Sequence, residues 1–509
     1  MSKRRIGRSR GAPSPKNGRR QRHVEARLAL RRSKGGITER RAYAEALVQA
    51  GKLREAAEEF RRIVREDPDD FEAHGKLGYV LAVRGRLTQA VPCYEIAQLL
   101  APDNPAIGAN LGVLYWQLGN PHDARTCFEE ALQIDPAHAN SLFHMAVLFL
   151  ESGHTDQART YCRRAVSRYE ALASRGQLSN PDDDLVKLGT AYFGLADYDK
   201  AASSFRTVIE RKPNHAMAHL RLGMALNHLD RKDEASLCFR RAVDLRPADP
   251  QARAALGMAL RSMGEPVAAA DALKAALERG FEDPSIEHFL SALTGDTTAT
   301  PPKRYVESLF DDYADRFDAH LIKGLGYRSP WDLREALDRC AGPGPHRWKI
   351  VDLGCGTGLC GPLFRPLAAE LLGVDLSPRM LEKARARAVY DELIQGDLVQ
   401  SLSTCPGDVD LALAADVLIY LGDLAPLMSA VTAALRAGGG RFAFTTEIAT
   451  EGDFVLEPSG RYSHADSYIE ALAASRGLVV EHIEKGIARQ ESGKPVPTSL
   501  HVLRLGRGA

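Results

Sequence analysis

The residues with the clearest chemical potential form a glycine-rich turn in the second half of this 509-residue chain. The sequence I-V-D-L-G-C-G-T-G at 350–358 places Asp352 beside a turn with glycine at every second position, and a second apolar run at 371–374 ends in Asp375. The pattern predicts a strand, a tight turn, a helix, a second strand and an acid. Glycines let the backbone approach a ligand closely, and the acid can accept hydrogen bonds from two ribose hydroxyls.

The type of nucleoside ligand follows from the residues around the turn. The turn differs from the G-x-G-x-x-G pattern of dinucleotide-binding folds. Asp352 would repel a pyrophosphate but not an amino group. Both features favour a nucleoside with a cationic or amino end, and S-adenosylmethionine is such a ligand. A Rossmann-like domain that binds another nucleotide is the alternative.

Several further motifs resemble class I S-adenosylmethionine-dependent methyltransferases, in the order in which that family carries them. After V-D-L-G-C-G-T-G at 351–358 come G-V-D-L-S at 373–377, Q-G-D at 395–397 and A-D-V-L-I-Y-L at 415–421. The resemblance implies an α/β Rossmann-like domain over residues 305–509, with a seven-stranded sheet of order 3-2-1-4-5-7-6 and helices between the strands.

The resemblance also implies which residues hold the cofactor. Asp375 would bind the ribose hydroxyls, Asp397 the adenine amino group and Asp352 the amino-acid end. The glycines would form the close turn. The expected cofactor-binding residues are Asp352, Gly354, Cys355, Gly356, Gly358, Asp375, Leu376, Asp397, Leu398 and Asp416.

The first half of the chain repeats over residues 37–285. Prolines close successive units every 34 residues, at Pro68, Pro102 and Pro136, and small-residue pairs such as Leu111-Gly112 open them. Small residues let two helices approach closely, and each proline ends a helix. The units resemble tetratricopeptide repeats, about seven in number with an irregular insert near 170–180, which implies an all-α solenoid and an interaction surface.

The concave face of such an array is predicted to be apolar. An apolar groove must be covered, so we expect either an apolar or amphipathic partner segment, or the insert or catalytic domain of the same chain. The residues expected on this face are Tyr79, Trp116, Phe143, Val147, Leu150, Phe193, Leu220 and Met224.

A helix at 305–321 is expected to cap the cofactor pocket. Phe310, Tyr313, Phe317 and Leu321 recur at steps of three and four residues, so they share one helix face. The segment resembles the F-D-x-Y-A-x-x-F-D opening of small-molecule methyltransferases, including those of quinone and biotin-precursor biosynthesis, which implies that Tyr313 lies near the methionine end. A plain amphipathic helix on the sheet is the alternative.

Residues 457–464, E-P-S-G-R-Y-S-H, are expected to contact the acceptor. They resemble a stretch of bacterial methyltransferases fused to tetratricopeptide repeats. Arg461 could hold a carboxylate or phosphate, and His464 is a candidate base. The alternative is a loop at a helix start, with His464 in solvent. The A-D-V-L-I-Y motif departs from the N/D-P-P-Y of enzymes that methylate amino groups of nucleic acids, which counts against such a substrate.

Composition limits the remaining possibilities. A net charge of +1 with 26% charged residues does not suggest a polyanion-binding protein. The 8 cysteines are scattered without a C-x-x-C pair, so we expect no metal site and a reducing, cytoplasmic location. No apolar run reaches membrane-spanning length.

Two non-domain segments are predicted. Residues 1–36 are rich in Arg and Lys and are expected to be disordered, as a solvated tail or as the one part of the chain that could bind nucleic acid. Residues 286–304 are expected to be a linker, polar and proline-terminated at 294–302. The sequence therefore predicts a methyltransferase that acts on a small-molecule or carrier- or protein-borne acceptor recruited by the repeats. The alternatives are a protein methyltransferase and a non-catalytic scaffold that only binds the cofactor.

Overall fold

A computed structural model describes residues 25–30, 35–314, 317–342, 344, 346–491 and 494–506. The chain divides into two compact units, Met1–Cys238 and Phe239–Ala509. Most of the predicted basic tail, at 1–24 and 31–34, lies outside the described residues. The division falls within the repeats, whereas the sequence motifs change only near residue 285. The last repeat therefore belongs to the same compact unit as the sheet.

The first unit consists of helices that follow one another in pairs, as the repeats predict. These helices are α1 (Ile37–Gln49), α2 (Leu53–Glu66), α3 (Phe71–Val83), α4 (Leu87–Leu100), α5 (Pro105–Gln117), α6 (Pro121–Ile134), α7 (Ala139–Glu151), α8 (Thr155–Ser174), α9 (Pro181–Gly194), α10 (Tyr198–Arg211) and α11 (Ala216–His228), and the division falls in α12 (Lys232–Leu245). The irregular insert mainly lengthens α8, which has 20 residues.

Glycine sets the close approach of the two helices within a pair. A Cβ atom added at Gly112 in α5 would lie 2.7 Å from the Phe128 ring of α6, and Gly189 stands in the same relation to Phe205. Only a residue without a side chain lets the aromatic ring fill this crossing. The predicted role of the small-residue pairs is confirmed.

The predicted groove residues differ in exposure. Tyr79 and Leu150 are 49% and 42% exposed, whereas Leu220 is 1% exposed and belongs to the core. The placement of Leu220 on the groove was wrong because α11 is covered on more than one side, with Ala218 and Leu222 buried as well. The other predicted groove residues are partly exposed, namely Trp116, Phe143, Val147, Phe193 and Met224.

The second unit begins with the end of the repeats and continues directly into the sheet domain. Its helices before the sheet are α13 (Pro250–Ser262), α14 (Pro266–Leu277), α15 (Pro284–Thr294), α16 (Lys303–Tyr313) and α17 (Ser329–Ala341), with a π-helical turn at Ala319–Gly324. The predicted linker at 286–304 was wrong in part, because residues up to Thr294 belong to α15. The following segment is packed, since the backbone N–H of Asp423 donates to Ala299 O at 2.8 Å and the hydroxyls of Thr298 and Tyr462 lie 2.7 Å apart.

The sheet has the predicted strand order with one added hairpin. The strands are β1 (Trp348–Leu353), β2 (Ala368–Asp375), β3 (Glu392–Gln395), β4 (Leu411–Ala414), β5 (Arg441–Ile448), β6 (Phe454–Leu456), β7 (Tyr462–His464), β8 (Leu478–Glu491) and β9 (Lys494–Leu505). β3-β2-β1-β4-β5 are parallel, and β9 pairs antiparallel with both β5 and β8. This is the predicted order 3-2-1-4-5-7-6, with β9 and β8 as the last two strands. The β6–β7 hairpin, which pairs with the end of β5, was not predicted.

Short helices and an apolar core support the sheet. The helices are α18 (Gly361–Phe364), α19 (Pro378–Ala386), α20 (Leu398–Leu402), α21 (Ala425–Ala434) and α22 (Asp466–Ser475), with 3-10 turns at Arg365–Leu367 and Leu418–Tyr420. Val351, Val374 and Phe444 lie in the core between strands and helices. Within the described part of the chain, no helix is long and apolar enough to cross a membrane, and no three His, Cys, Asp or Glu side chains are placed to hold a metal ion.

A pair of glycine substitutions tests the packing of the repeats. We expect Gly112→Ala to lower the free energy of unfolding by about 1–3 kcal/mol, because the new methyl group displaces Phe128. The matched control is Gly75→Ala in α3, where an added Cβ meets nothing within 4 Å. The control should stabilise the helix by up to about 1 kcal/mol. Chemical denaturation followed by circular dichroism measures both, and equal effects would contradict the packing argument.

Candidate active site

A cavity of about 600 Å³ opens at the carboxyl ends of β1, β2 and β4. Its walls come from three parts of the second unit. These are the residues that follow the strands, the segment from α16 to Tyr327, and Met258, Arg261 and Phe289 of the last repeat and α15. Ligands bind at this edge in open α/β sheets, and the volume suits a small organic ligand.

The glycine turn forms one wall of this cavity. Gly354 and Gly356 line it with positive φ angles of 66° and 55°. The missing side chain leaves the backbone of Gly356 open to a ligand, whereas a Cβ at Gly354 would lie 2.6 Å from the Val417 side chain. Gly358 also has a positive φ of 84°, but a Cβ there would meet Tyr390, not the cavity. Gly356 thus stands where a ligand-binding turn requires it, whereas Gly354 and Gly358 permit the close packing of Val417 and Tyr390.

Asp375 lies on the wall next to the turn. Its two carboxylate oxygens accept hydrogen bonds from the backbone N–H groups of Gly356 and Ser377, each at 2.8 Å. Burial raises the pKa of Asp375, and these two hydrogen bonds oppose the increase. The carboxylate is therefore fixed in direction, with remaining acceptor capacity towards the cavity.

Three more predicted cofactor residues, Leu376, Asp397 and Leu398, line the same cavity. Asp397 caps α20 by accepting hydrogen bonds from the N–H groups of Val399 and Gln400, and it pairs with Lys303 of α16 at 2.8 Å. Burial alone would raise the pKa of Asp397, but the Lys303 and backbone contacts outweigh it and lower the pKa. This carboxylate is therefore held in its ionised form.

Asp352 and Cys355 do not line the cavity. Asp352 is 1% exposed, and its carboxylate accepts a 2.6 Å hydrogen bond from the Tyr390 hydroxyl. Burial raises the pKa of Asp352 to about 7. The predicted contact of Asp352 with the amino-acid end was wrong, because this side chain points away from the cavity and supports the turn from behind. Cys355 is buried beside it and contributes its backbone N–H to Val374 O.

The predicted cap residues share one face, as their spacing requires. Phe310, Tyr313, Phe317 and Leu321 all line the cavity. Among the described residues, α16 ends at Tyr313 and the π-helical segment follows at Ala319–Gly324. The four side chains nevertheless cover the glycine turn and the strand ends.

Two aspartates of the same motif attach the cap to the sheet domain. The Ser377 hydroxyl donates to Asp311, and Arg379 donates to the Asp311 carbonyl at 2.8 Å. The Thr357 hydroxyl of the glycine turn donates to Asp318, which also pairs with Arg387. The two aspartates of F-D-x-Y-A-x-x-F-D thus position the aromatic residues over the cavity.

His464 is not a base in this cavity. It is fully buried in β7, and its Nε2–H donates to the Gly422 carbonyl at 2.9 Å. Burial lowers the pKa of His464 to about 4, so the ring is neutral. The catalytic prediction for His464 was wrong, and so was the solvated alternative, because residues 462–464 form a strand beside β5 rather than a loop. Among the described residues, no histidine lines the cavity.

Arg461 lines the cavity as predicted and belongs to a network of buried charges. Its Nε lies 3.0 Å from Glu447 of β5, and the same carboxylate oxygen pairs with Arg489. Arg489 also donates from Nη1 to both oxygens of Asp416, at 2.7 and 2.8 Å. Arg489 is only 3% exposed as a side chain, so these ion pairs compensate its charge.

Asp416 lies at the end of β4 with a left-handed backbone. Its φ is 60°, and its N–H donates to the Thr445 hydroxyl at 2.9 Å. Non-glycine residues rarely adopt this conformation, and strain of this type concentrates at functional sites. The bond and the Arg489 contact hold the Asp416 carboxylate at the cavity wall, where the sequence motif predicted a cofactor contact.

Arg489 and Arg261 are among the cavity residues that the sequence analysis did not predict. Arg489 lies in the second half of β8 and lines the cavity. Arg261 lies in α13, within the repeats, where no motif distinguishes it from other exposed charges.

The buried state of His464 gives a pH-dependent prediction. A histidine whose folded pKa is lowered from 6.5 to about 4 stabilises the fold above pH 6.5, and this contribution is lost as the pH falls towards 4. The loss reaches about 3 kcal/mol. We expect His464→Gln to lower the melting temperature at pH 7. When the pH is lowered from 7 to 4.5, the melting temperature of this variant should fall less than that of the wild type, because glutamine does not take up a proton.

The matched control is His122→Gln, since the His122 side chain is 89% exposed in the first unit. It should reproduce the wild-type pH dependence of melting. An unchanged pH dependence in His464→Gln would contradict the buried, neutral state of this ring.

Comparison with known families agrees with this geometry. Residues 350–439 match the family described as "Methyltransferase domain". Residues 42–105, 104–171, 186–250 and 230–284 match families described as "Tetratricopeptide repeat".

Individual relatives share only part of their length with this chain. An 18S rRNA (guanine-N(7))-methyltransferase of Bos taurus is 33% identical over 72 residues, which cover 14% of this chain and 26% of that protein. A ubiquinone biosynthesis O-methyltransferase of Xanthomonas campestris pv. campestris (strain B100) is 28% identical over 127 residues, 24% of this chain and 52% of that protein. The chain thus spans about a quarter and about half of their lengths. A solved S-adenosylmethionine-dependent methyltransferase of Mesorhizobium loti aligns with a TM-score of 0.27 and 23% identity, over 35% of this chain and 98% of that one.

The residues that line the cavity are themselves suited to the cofactor. Gly354 and Gly356 present backbone without side chains, and Asp375 presents a fixed carboxylate at the end of β2. Together with the family matches, these residues show that the chain carries tetratricopeptide repeats followed by a class I methyltransferase domain whose cofactor is S-adenosylmethionine.

Proposed function

We propose that the second unit catalyses methyl transfer from S-adenosylmethionine to a small-molecule acceptor, free or attached to a carrier that the repeats recruit. The observation that carries this proposal is the extent of the cavity. It extends from the glycine turn and Asp375, beneath the cap residues, to Met258, Arg261 and Phe289. A second ligand can therefore lie against the cofactor inside the same cavity.

The bound cofactor supplies an activated methyl group, so the residues of the chain act mainly by positioning. Asp375 would orient the ribose and Asp397 the adenine, as the class I motifs imply. In our proposal Tyr313 and Phe317 exclude water from the transfer site. Reactants held in line in a dry site gain most of the rate that such a transfer needs.

The walls favour a small acceptor over a nucleic acid. Most of the cavity surface is apolar, and the cap residues enclose it under α16. A guanine in folded ribosomal RNA would have to leave its stack to enter such a chamber. Of the two relatives named above, the O-methyltransferase of ubiquinone biosynthesis is thus the closer functional analogue. Most of the N-terminal basic segment, the candidate for nucleic-acid binding, lies outside the described residues.

The repeats supply the recruitment part of the proposal. In the first unit Tyr79, Val83 and Leu150 are 49%, 52% and 42% exposed. Exposed apolar side chains on a helical array suit an amphipathic segment of a partner protein. All 8 cysteines are free thiols, which suits a reducing compartment, and we place the protein in the cytoplasm of a bacterium.

The cofactor assignment predicts the effect of removing one carboxylate. We expect Asp375→Ala to weaken binding of S-adenosylhomocysteine by about 100-fold or more, because two charge-assisted hydrogen bonds to the ribose are lost. Asp338→Ala is the control, since Asp338 pairs with Arg334 in α17, outside the cavity. Isothermal titration calorimetry measures both, with circular dichroism to verify the fold. Unchanged affinity in Asp375→Ala would contradict the assignment.

The class of methyl acceptor can be determined from the fraction of a cell lysate in which a labelled methyl group is found. The full chain is incubated with a cell lysate and S-adenosylmethionine carrying a labelled methyl group, with Asp375→Ala as the inactive control. We expect label in the small-molecule extract. Label in protein instead would identify a protein methyltransferase. Bound cofactor without any labelled product would favour a non-catalytic scaffold.

Recruitment by the repeats is tested in the same assay. The double variant Tyr79→Ser and Leu150→Ser should lower label incorporation from dilute lysate and leave the affinity for S-adenosylhomocysteine unchanged. Undiminished incorporation would show that these side chains do not recruit the acceptor.

A further inference from the structure

We propose that the end of the cavity formed by the last repeat is a subsite for an anionic group of the acceptor, a carboxylate or phosphate, with Arg261 as its cation. The inference rests on the proposed methyltransferase function and adds to it the charge of the substrate. It also makes the last repeat part of the acceptor site, beyond any recruiting role of the array.

The position of Arg261 is well determined by its contacts. The residue lies near the end of α13, and its Cζ is 3.9 Å from the centroid of the Phe289 ring. Its Nη1 donates to the Ser459 carbonyl at 3.1 Å, in the turn that precedes β7. A cation–π contact on one side and a backbone carbonyl on the other hold the guanidinium in the cavity wall.

Arg261 differs from the other cations of the cavity because it has no carboxylate partner among the described residues. Its Nε is buried without a hydrogen-bond partner. By contrast, Lys303 pairs with Asp397, and Arg461 pairs with Glu447. Arg489 pairs with Glu447 and Asp416. The guanidinium donates to the backbone carbonyls of Pro458 and Ser459, but no carboxylate balances its charge, so this arrangement points to an anion from outside the chain.

The surroundings define the ligand further. Tyr305 stacks edge-on against Phe289, with ring centroids 5.1 Å apart. Burial raises the pKa of Tyr305, and Arg261 and Arg461 both oppose this increase, so both cations act on the same hydroxyl. Aromatic rings beside a guanidinium suit a ligand with a flat, apolar body and a terminal anionic group. The acceptor in this assignment is an aromatic or otherwise apolar acid.

The approach of the β6–β7 turn to the last repeat keeps this geometry tight. Gly460 has a φ of 86°, and a Cβ there would lie 2.6 Å from the Phe289 ring. The buried His288 side chain bonds to the Gly460 carbonyl at 3.0 Å. Arg461 belongs to the β6–β7 turn, and Arg261 contacts the same turn from α13. The two arginines are therefore held relative to each other.

The test uses simple probes and the full chain saturated with S-adenosylhomocysteine. Benzoate and phenyl phosphate carry the anion on an aromatic ring, and benzamide is the neutral match. Calorimetry at low salt should show at least about tenfold tighter binding of one of the anions than of benzamide, since a charged hydrogen bond is involved. Tighter benzoate indicates a carboxylate subsite, and tighter phenyl phosphate a phosphate subsite.

Two variants assign the preference to Arg261. Arg261→Met should abolish it, whereas Arg261→Lys, which keeps the charge, should retain part of it. Arg253→Met is the matched control from the same helix, because Arg253 bonds to Pro247 O and does not line the cavity. It should behave as the wild type.

The outcomes separate this inference from the proposed function. Equal affinity for anions and benzamide in the wild type, no binding of any probe up to about 10 mM, or an undiminished preference in Arg261→Met overturns the anionic subsite. Affinity for S-adenosylhomocysteine, measured in every variant, verifies the fold. If the wild type did not bind it, the cofactor assignment would fail instead. Should the Met variant lose the fold, the Lys variant carries the test through its anion-to-benzamide affinity ratio.

Discussion

The active site depends on one carboxylate that two segments of backbone hold in place. Asp375 accepts hydrogen bonds from the N–H groups of Gly356 and Ser377, which belong to the turn after β1 and the start of α19. Gly356 can direct its N–H this way because its φ is 55°. Ser377 in turn donates its hydroxyl to Asp311 of the cap. The glycine turn, the second strand and the cap are therefore positioned against the same group.

The wall that contains Asp416, Arg461 and Arg489 is held by buried charges. It is therefore sensitive to the loss of a single ion-pair partner. Glu447 is shared by Arg461 and Arg489, and Arg489 also holds Asp416 at the end of β4. Burial of each charged side chain costs little free energy only while its ion-pair partners are present. Removal of one partner would therefore leave a buried charge uncompensated. The length of β8 in the β8–β9 hairpin places Arg489 at the cavity. This network and the Asp375 contacts together fix the cavity from two sides.

The strand order was implied by the resemblance to class I methyltransferases. Local patterns in the sequence were sufficient for the repeats, the glycine turn, the position of Asp375 at a strand end and the shared face of the cap residues. Each follows from spacing within one element or from a compact motif. The errors at Asp352 and His464 have a common cause, because the direction of a side chain at a strand end depends on what packs over it. Tyr390 and the Gly422 carbonyl, which decide these directions, lie 38 and 42 residues away. Arg261 could not be predicted from the sequence for the same reason, because only its tertiary contacts distinguish it from the other arginines of the repeats.

The end of the repeat array explains why the compact units divide within the repeats. A solenoid exposes apolar surface at its last unit and needs a cap. Here Ile286 and Phe289 of α15 cover Leu273 of α14, and Tyr305 of the cap segment packs against the same cluster. Gly460 and Tyr462 of the sheet domain close it from the other side. The catalytic domain thus serves as the capping unit of the array, and α13–α15 cannot change their packing without moving the wall of the cavity.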